Sequence, residues 1–480
     1  MFSQPLILVT TILATSLLIS SLVNSFPEAD RVKSLPYQPP VSFQQFAGYV
    51  PVDDKNQRAL FYYFVEAQTN PASKPLVLWL NGGPGCTSVG VGAFTEHGPF
   101  VTNQGEAIEK NKYSWNKEAN ILYLESPAGV GFSYSLDLSF YKTLNDEVTA
   151  RDSLVFLQRW FAKFPEYKNR DFYIMGESYG GHYVPQLAEL IIKTKLNFKL
   201  KGIAIGNPLL DFDTDMNAAD EYYWSHGIIS DYAYKIKTSL CNSSRVIREY
   251  FNGHISTDCL VAAQKLSEEY SFTSFIDPYY VIGDKCLSYN ISQAGFLREM
   301  LNSDMFQFRK SNNMQQIEDP DQQIDKCIMK YSEMYLNRKD VQNALHARLV
   351  GTTNYRLCSK IVQTNYDSLN REIPTINVVG FLLKLGLRVT VYSGDQDSVI
   401  PFMGTRRLVD GLAKTLGLRT TVPYGAWFVD KQVGGWTQIY GNHLTYATVR
   451  GASHATPATQ PKRSFLLFNA FIQGKPLPKA

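Results

Sequence analysis

Apolar residues fall into two rhythms along this 480-residue chain. Leu76 to Leu80, Ile121 to Leu124, Gly202 to Gly206 and Val389 to Tyr392 are short, nearly unbroken runs of apolar or small residues, the pattern of strands buried on both faces. Phe46 to Ala67 reads as strand, most clearly over Ala59 to Val65, and Asp171 to Met175 as a short aromatic and β-branched strand. The second rhythm is helical. It covers Leu144 to Phe164, a closing stretch from Arg463 to Ile472, and Tyr183 to Lys195, where Val184, Leu187, Ala188, Ile191 and Ile192 share a face and Glu189 stands four residues before Lys193. Strands alternating with helices predict an α/β protein, with a mostly parallel central sheet flanked by helices on both faces.

The alternation fails between Leu209 and Asn370. This segment is polar and helix-like, holds five of the six cysteines, and is expected to be a mainly helical cap insertion. Within it, Phe306 to Lys326 reads as a loop. The strand pattern resumes after Pro374, which divides the chain into a first part of the core (30–208), an insertion (209–370) and a second part of the core (371–480). Ahead of these, Pro5 to Val23 is apolar and uncharged and ends at Asn24-Ser25, so residues 1–25 are expected to be a cleaved signal peptide.

Composition narrows the function classes. A content of 44% hydrophobic and 13% aromatic residues supplies a sizeable core, and 47 basic against 44 acidic residues give no excess that would attract nucleic acid. Cys86, Cys241, Cys259, Cys286, Cys327 and Cys358 are even in number and lack metal-ligand spacing, which suits disulfides in an oxidising compartment. Sequons at Asn242 and Asn290 mark candidate glycosylation sites on that secretory route. No metal or cofactor is implied, and no membrane association after signal cleavage.

Chemistry concentrates at Gly176-Glu177-Ser178-Tyr179-Gly180. A G-x-S-x-G sequence between a buried strand and an amphipathic helix has the form of a nucleophile elbow, as in α/β-hydrolases. A serine hydroxyl needs a base and the base needs an orienting carboxylate. Of the downstream histidines, His454 follows a strand directly and lies in the turn Gly451-Ala452-Ser453-His454, which selects it as base. Asp395 and Asp397, in the loop Tyr392 to Pro401, are both placed to be the acid, and spacing does not choose between them. The glycine turn Asn81 to Cys86 ends another buried strand, where an oxyanion-binding N–H is wanted.

Together, Trp79-Leu80-Asn81-Gly82-Gly83-Pro84-Gly85-Cys86, Gly176 to Pro185, Tyr392 to Pro401 and Gly451 to His454 resemble the serine carboxypeptidases, most closely those of plants. The resemblance runs from about Asp30 to the C-terminus. It implies Ser178 as nucleophile, Asp397 as orienting acid and His454 as general base and acid, with Asp395 structural. It further implies oxyanion donors at Gly83 and Tyr179, and a clamp for the substrate's C-terminal carboxylate made of Asn81, Gly82, Glu96 and Glu177. Disulfides Cys86–Cys358, Cys241–Cys259 and Cys286–Cys327 follow from the same resemblance, as does a linker at 302–323 that some plant members excise.

The implied activity is release of C-terminal residues from peptides or proteins through an acyl-enzyme, with an acidic pH optimum, by a secreted or vacuolar monomer or homodimer. Plant relatives also use this triad for glucose-ester-dependent acyl transfer, usually with aspartate where this chain has Glu177. A catalytically silent binding protein is the remaining alternative. Two departures are notable: Thr87 replaces a common serine, and Ala455 replaces a glutamate found in plant enzymes that accept basic leaving residues, which favours an apolar one here.

Overall fold

A computed structural model describes residues 27–267, 269, 276–286 and 326–479. The expected signal peptide, the Asn290 sequon, the loop at 306–326 up to Asp325 and the 302–323 linker lie outside the described residues. The strands are β1 (Gln45–Asp53), β2 (Arg58–Val65), β3 (Leu76–Leu80), β4 (Phe100–Asn103), β5 (Ala107–Lys110), β6 (Asn120–Leu124), β7 (Tyr134–Ser135), β8 (Phe172–Glu177), β9 (Leu200–Gly206), β10 (Arg388–Gly394), β11 (Thr420–Val429), β12 (Gln432–Tyr440) and β13 (Leu444–Val449). Helices are α1 (Asp146–Lys163), α2 (Gly180–Lys193), α3 (Phe212–Ser225), α4 (Asp231–Ser239), α5 (Ser243–Phe251), α6 (Thr257–Leu266), α7 (Ile328–Leu336), α8 (Lys339–Ala344), α9 (Lys360–Asn365), α10 (Ile376–Lys384), α11 (Phe402–Thr415), α12 (Thr456–Thr459) and α13 (Pro461–Gln473).

The main sheet has the order β1-β2-β6-β3-β8-β9-β10-β13-β12-β11. Its middle, from β6 to β13, is parallel, and antiparallel strands close both edges. Every residue of β3, β6 and β8 is buried, as their unbroken apolar runs require. Successive side chains of a strand point to opposite faces, and β3 accordingly splits between two cores. Leu76, Leu78 and Leu80 pack with residues of α1, α2, α10 and α11, whereas Val77 and Trp79 pack with Leu467, Phe468 and Phe471 of α13. The mostly parallel sheet flanked by helices is the one that the two rhythms predict, and its arrangement is the α/β-hydrolase fold expected from the elbow and the family resemblance.

Two features differ from the sequence reading. The strand pattern does not resume directly after Pro374, because α10 intervenes before β10. The hairpin β11–β12 extends the sheet beyond β13 although Thr420 to Tyr424 are mostly exposed. Its turn residues Asp430 and Lys431 both adopt positive φ, at 48° and 65°, the backbone of a tight hairpin turn built without glycine.

Between β9 and β10 the described chain contributes no strand. It leaves the core at Leu210 and comes back beside it, where the Ile376 amide donates to Leu210 O (3.2 Å) and Thr375 Oγ1 to Gly181 O (2.8 Å). The structure joins Cys241 to Cys259, Cys286 to Cys327, and Cys86 to Cys358 across 272 residues. Backbone bonds from Thr87 N to Leu357 O (2.8 Å) and from Ser359 N to Gly85 O (2.9 Å) flank the last of these.

One buried carboxyl organises this junction. Glu125 accepts from Thr87 Oγ1, from Tyr355 Oη (2.7 Å) and from the Phe132 amide (2.5 Å). Thr87 Oγ1 in turn accepts from the Val89 and Gly90 amides, capping a nine-residue π-helix, Ser88–Glu96. Burial pushes Glu125 from 4.5 up to about 7. Because the folded value lies above the unfolded one, its contribution to stability is present below the unfolded value and lost as pH rises through the folded one. We therefore expect the melting temperature of Glu125→Gln, relative to wild type, to move in the variant's favour between about pH 5 and about pH 8. An offset that stays constant over that range would contradict this.

Candidate active site

Ser178 sits at the turn between β8 and α2 with φ of 60°, a left-handed backbone that a residue bearing Cβ adopts at a cost of about 1–2 kcal/mol. Hydrogen bonds hold it there. Its amide donates to Gly206 O (2.9 Å), and its carbonyl accepts from the amides of Gly181 (2.8 Å) and Leu209 (3.0 Å). The side chain is half-buried while its neighbours Glu177 and Tyr179 are buried. Compared with the sequence expectation, the strand runs on through Glu177 and the helix starts earlier, at Gly180.

The turn after β3 is pressed against this elbow. A Cβ on Gly82 would stand 2.3 Å from the Tyr179 amide nitrogen, so only glycine permits the approach. Among the described residues the amides of Gly83 and Tyr179 are not spent on a protein acceptor. Two free donors beside Ser178, with the N-terminus of α2 behind them, suit a developing negative charge.

His454 follows β13 and is buried. Its Nδ1–H donates to Asp397 Oδ2 at 2.7 Å, and its Nε2 has no hydrogen-bond partner among the described residues. Asp397 is fully buried and accepts from Asn207 Nδ2 (2.9 Å) and from the amides of Val399 (2.9 Å) and Ile400 (3.2 Å). The two aspartates that spacing left open thus occupy different places. Asp395 accepts from the Gly451 amide (2.7 Å) and fastens the turn that leads into His454.

The third cluster is acidic. Asn81 Nδ2 donates to Glu96 Oε1 (3.1 Å) and to Glu177 Oε1 (2.9 Å), and all three side chains are buried. Trp79 Nε1–H, a donor only, occupies Asn81 Oδ1 at 2.6 Å and so turns the amide's N–H groups towards the carboxyls. The Asn81 amide donates to Ser88 Oγ (3.0 Å), which joins the turn to the π-helix carrying Glu96. Burial pushes Glu96 up to about 7. Burial, and then the charge of Glu96, push Glu177 well above the usual carboxylate range. Adjacent buried carboxyls do not both ionise readily, so at acid pH the pair holds a proton.

Several contributors carry no signature of their own in the sequence. Asn207, at the end of β9, joins Asp397 to Gly394, whose amide donates to its Oδ1 (3.0 Å). Tyr279 is reached only through the insertion; its carbonyl accepts from the His454 amide (2.9 Å) and its ring meets the imidazole edge-on at 5.1 Å. Pro278 O likewise accepts from Ser398 N (3.0 Å), so this short segment braces both loops. For Asn207 a positional hint existed, since it directly follows a buried parallel strand, where such sites gather. Asn242 stands half-buried at the N-terminus of α5, where its Oδ1 accepts from the Arg245 amide (3.0 Å).

Comparison with known proteins identifies the family. A family model described as serine carboxypeptidase matches residues 36–474. Serine carboxypeptidase-like 45 of Arabidopsis thaliana is 56% identical over 97% of this chain and 96% of its own length. Serine carboxypeptidase-like 46 of the same plant is 54% identical over 97% and 98%. Among solved structures, KEX1(DELTA)p, a prohormone-processing carboxypeptidase from Saccharomyces cerevisiae, superposes with a TM-score of 0.69 over 94% of this chain and 96% of its own. At 21% identity that likeness speaks for the fold alone. By the span of the family match and the identity of its plant relatives, this chain belongs to the serine carboxypeptidase family.

Proposed function

We propose that this protein is a secreted serine-type carboxypeptidase that releases single C-terminal residues, most readily at acid pH. The observation that carries this reading is the Asn81 amide bridging Glu96 and Glu177 beside Ser178. A carboxyl pair that keeps one proton donates a hydrogen bond to a substrate's terminal carboxylate, assisted by the Gly82 amide, while the two N–H groups of Asn81 hold the carboxyls in place. A peptide held in this way has its last peptide bond next to the serine.

Ser178 Oγ then attacks the carbonyl carbon while His454 Nε2 takes its proton, and the imidazolium is stabilised by Asp397. The oxyanion is received by the Gly83 and Tyr179 amides. Collapse breaks the C–N bond, His454 returns the proton to the departing amino group, and an acyl-Ser178 ester remains. Water, deprotonated by His454, hydrolyses that ester. In this reading residues 30–208 and 371–480 carry the chemistry, and the insertion at 209–370 shapes the pocket for the leaving residue. Ala455 beside His454 favours an apolar one. Three disulfides and the apolar N-terminus support the secretory route, to the cell exterior or the vacuole, with Asn242 and Asn290 as glycan acceptors. Among the described residues no helix is long and apolar enough to cross a membrane.

Two measurements test this assignment. Asp397→Asn is expected to lower kcat by about 10⁴-fold, whereas Asp395→Asn, which keeps an acceptor for the Gly451 amide, should stay within about tenfold of wild type. Equal losses would remove the distinction drawn between the two aspartates. For the clamp, raising pH through the elevated values of Glu96 and Glu177 takes away the shared proton and sets two negative charges against the substrate's carboxylate. The efficiency kcat/KM should therefore fall from acid to neutral pH mainly through KM, and the double variant Glu96→Gln, Glu177→Gln should lose that dependence. A double variant with the wild-type profile would show that the clamp is not the titrating element.

A further inference from the structure

Next to the elbow lies a second buried polar cluster centred on Asp146, the first residue of α1. Its carboxylate takes four side-chain donors. Oδ1 accepts from Tyr179 Oη (3.1 Å) and Tyr366 Oη (2.7 Å), and Oδ2 from His182 Nδ1 (2.8 Å) and Gln186 Nε2 (2.9 Å). Tyr179, His182 and Gln186 all belong to the elbow and the first turns of α2. The Tyr179 phenol ring also stacks on the His182 imidazole, with centroids 4.5 Å apart and planes 13° from parallel. Asp146 and His182 are both buried, and nothing in the reaction described above uses them.

The arrangement has a mechanical meaning. Tyr179 bears an oxyanion amide on one side and a phenol on the other, and the amide has no freedom towards Gly82, which it nearly touches. Any rotation of the residue about its own backbone must move the phenol, and the phenol is fixed between Asp146 and His182. Tyr366 brings a third element to the same carboxylate. It follows α9, close after Cys358, so the segment returning from the insertion is tied to the elbow at this point.

We propose that Asp146, acting through the Tyr179 phenol and the His182 imidazole, is a positioning residue that holds the Tyr179 amide in line with the oxyanion. The proposal rests on the assignment of Ser178 and the Tyr179 amide made above. Burial alone would raise the Asp146 carboxyl, but its hydrogen bonds from His182, Tyr366 and Gln186 outweigh that and keep it below the usual range. The acceptor is therefore a carboxylate, whose charge-assisted bonds are the stronger kind.

The test separates transition-state support from simple loosening. Asp146→Asn and Tyr179→Phe are compared with wild type in three readouts: kcat and KM for a blocked dipeptide, the affinity of a free amino acid that fills only the clamp, and the affinity of a ¹³C-labelled peptide aldehyde lacking a C-terminal carboxylate. Formation of the tetrahedral Ser178 adduct by the aldehyde is followed by NMR. We expect kcat to fall about 10- to 100-fold with KM within about twofold, the aldehyde to weaken by a similar factor, and the free amino acid to bind as in wild type. Equal weakening of aldehyde and amino acid, or an unchanged kcat, would overturn the proposal. Should Asp146→Asn fail to fold, Tyr179→Phe against Tyr366→Phe decides, because only the first severs the link to the oxyanion amide. Equal losses in that pair would overturn the proposal as well. The aldehyde titration requires no peptide turnover, so an error in the assigned substrate class and an error in this inference give different results.

Discussion

The site depends on one steric constraint, the close approach of the turn after β3 to the elbow after β8. These strands are parallel neighbours, with Leu80 paired to Gly176, so their carboxyl ends emerge side by side. Gly82 then lies against Tyr179 at a distance that no other residue tolerates. This contact packs the turn that carries Gly83 against the Tyr179 amide and sets Asn81 next to Glu177. The left-handed backbone of Ser178 is held by the Gly206, Gly181 and Leu209 hydrogen bonds on the far side of the same turn. The proposed oxyanion donors and the proposed substrate clamp therefore share a single packing arrangement.

A second theme is the use of buried acids. Glu96, Glu177 and Glu125 are all enclosed, and burial raises each of them. Such groups cost stability once ionised, and the cost is accepted where a proton or an acceptor is wanted at a fixed place. Glu125 caps, through Thr87, the π-helix that ends in Glu96, so one buried acid supports the position of another. Gly92 of the same helix would bring a Cβ to 2.5 Å from Trp79 Nε1, which shows how closely the helix follows the indole that orients Asn81. Asp146 is treated in the opposite way, kept ionised by several donors.

Much of this was legible in the sequence where the determinant is local. Strands buried on both faces announce themselves as apolar runs, and the elbow as glycines around a serine between strand and helix. Which aspartate meets His454 was not legible from spacing, because Asp395 and Asp397 share one loop and differ only in which backbone amides and side chains from elsewhere meet them. Asn207, Trp79, Tyr279 and Asp146 escaped for the same reason, since their roles exist only through partners far away in sequence. The β11–β12 hairpin was missed because its strands show solvent-facing residues and its Asp430-Lys431 turn lacks the usual glycine. Helix α10 is almost continuously apolar from Ile376 to Leu383, a run whose period does not tell helix from strand.

In the proposed function the buried carboxyls admit substrates by their free C-terminal carboxylate. This is tested most directly by comparing kcat/KM at acid pH for a blocked dipeptide, for the same dipeptide with an amidated C-terminus, and for a glucose ester with an acceptor alcohol. Efficient hydrolysis of the free acid and a large loss for the amide are expected. Equal cleavage of acid and amide, or preferred turnover of the glucose ester, would contradict it.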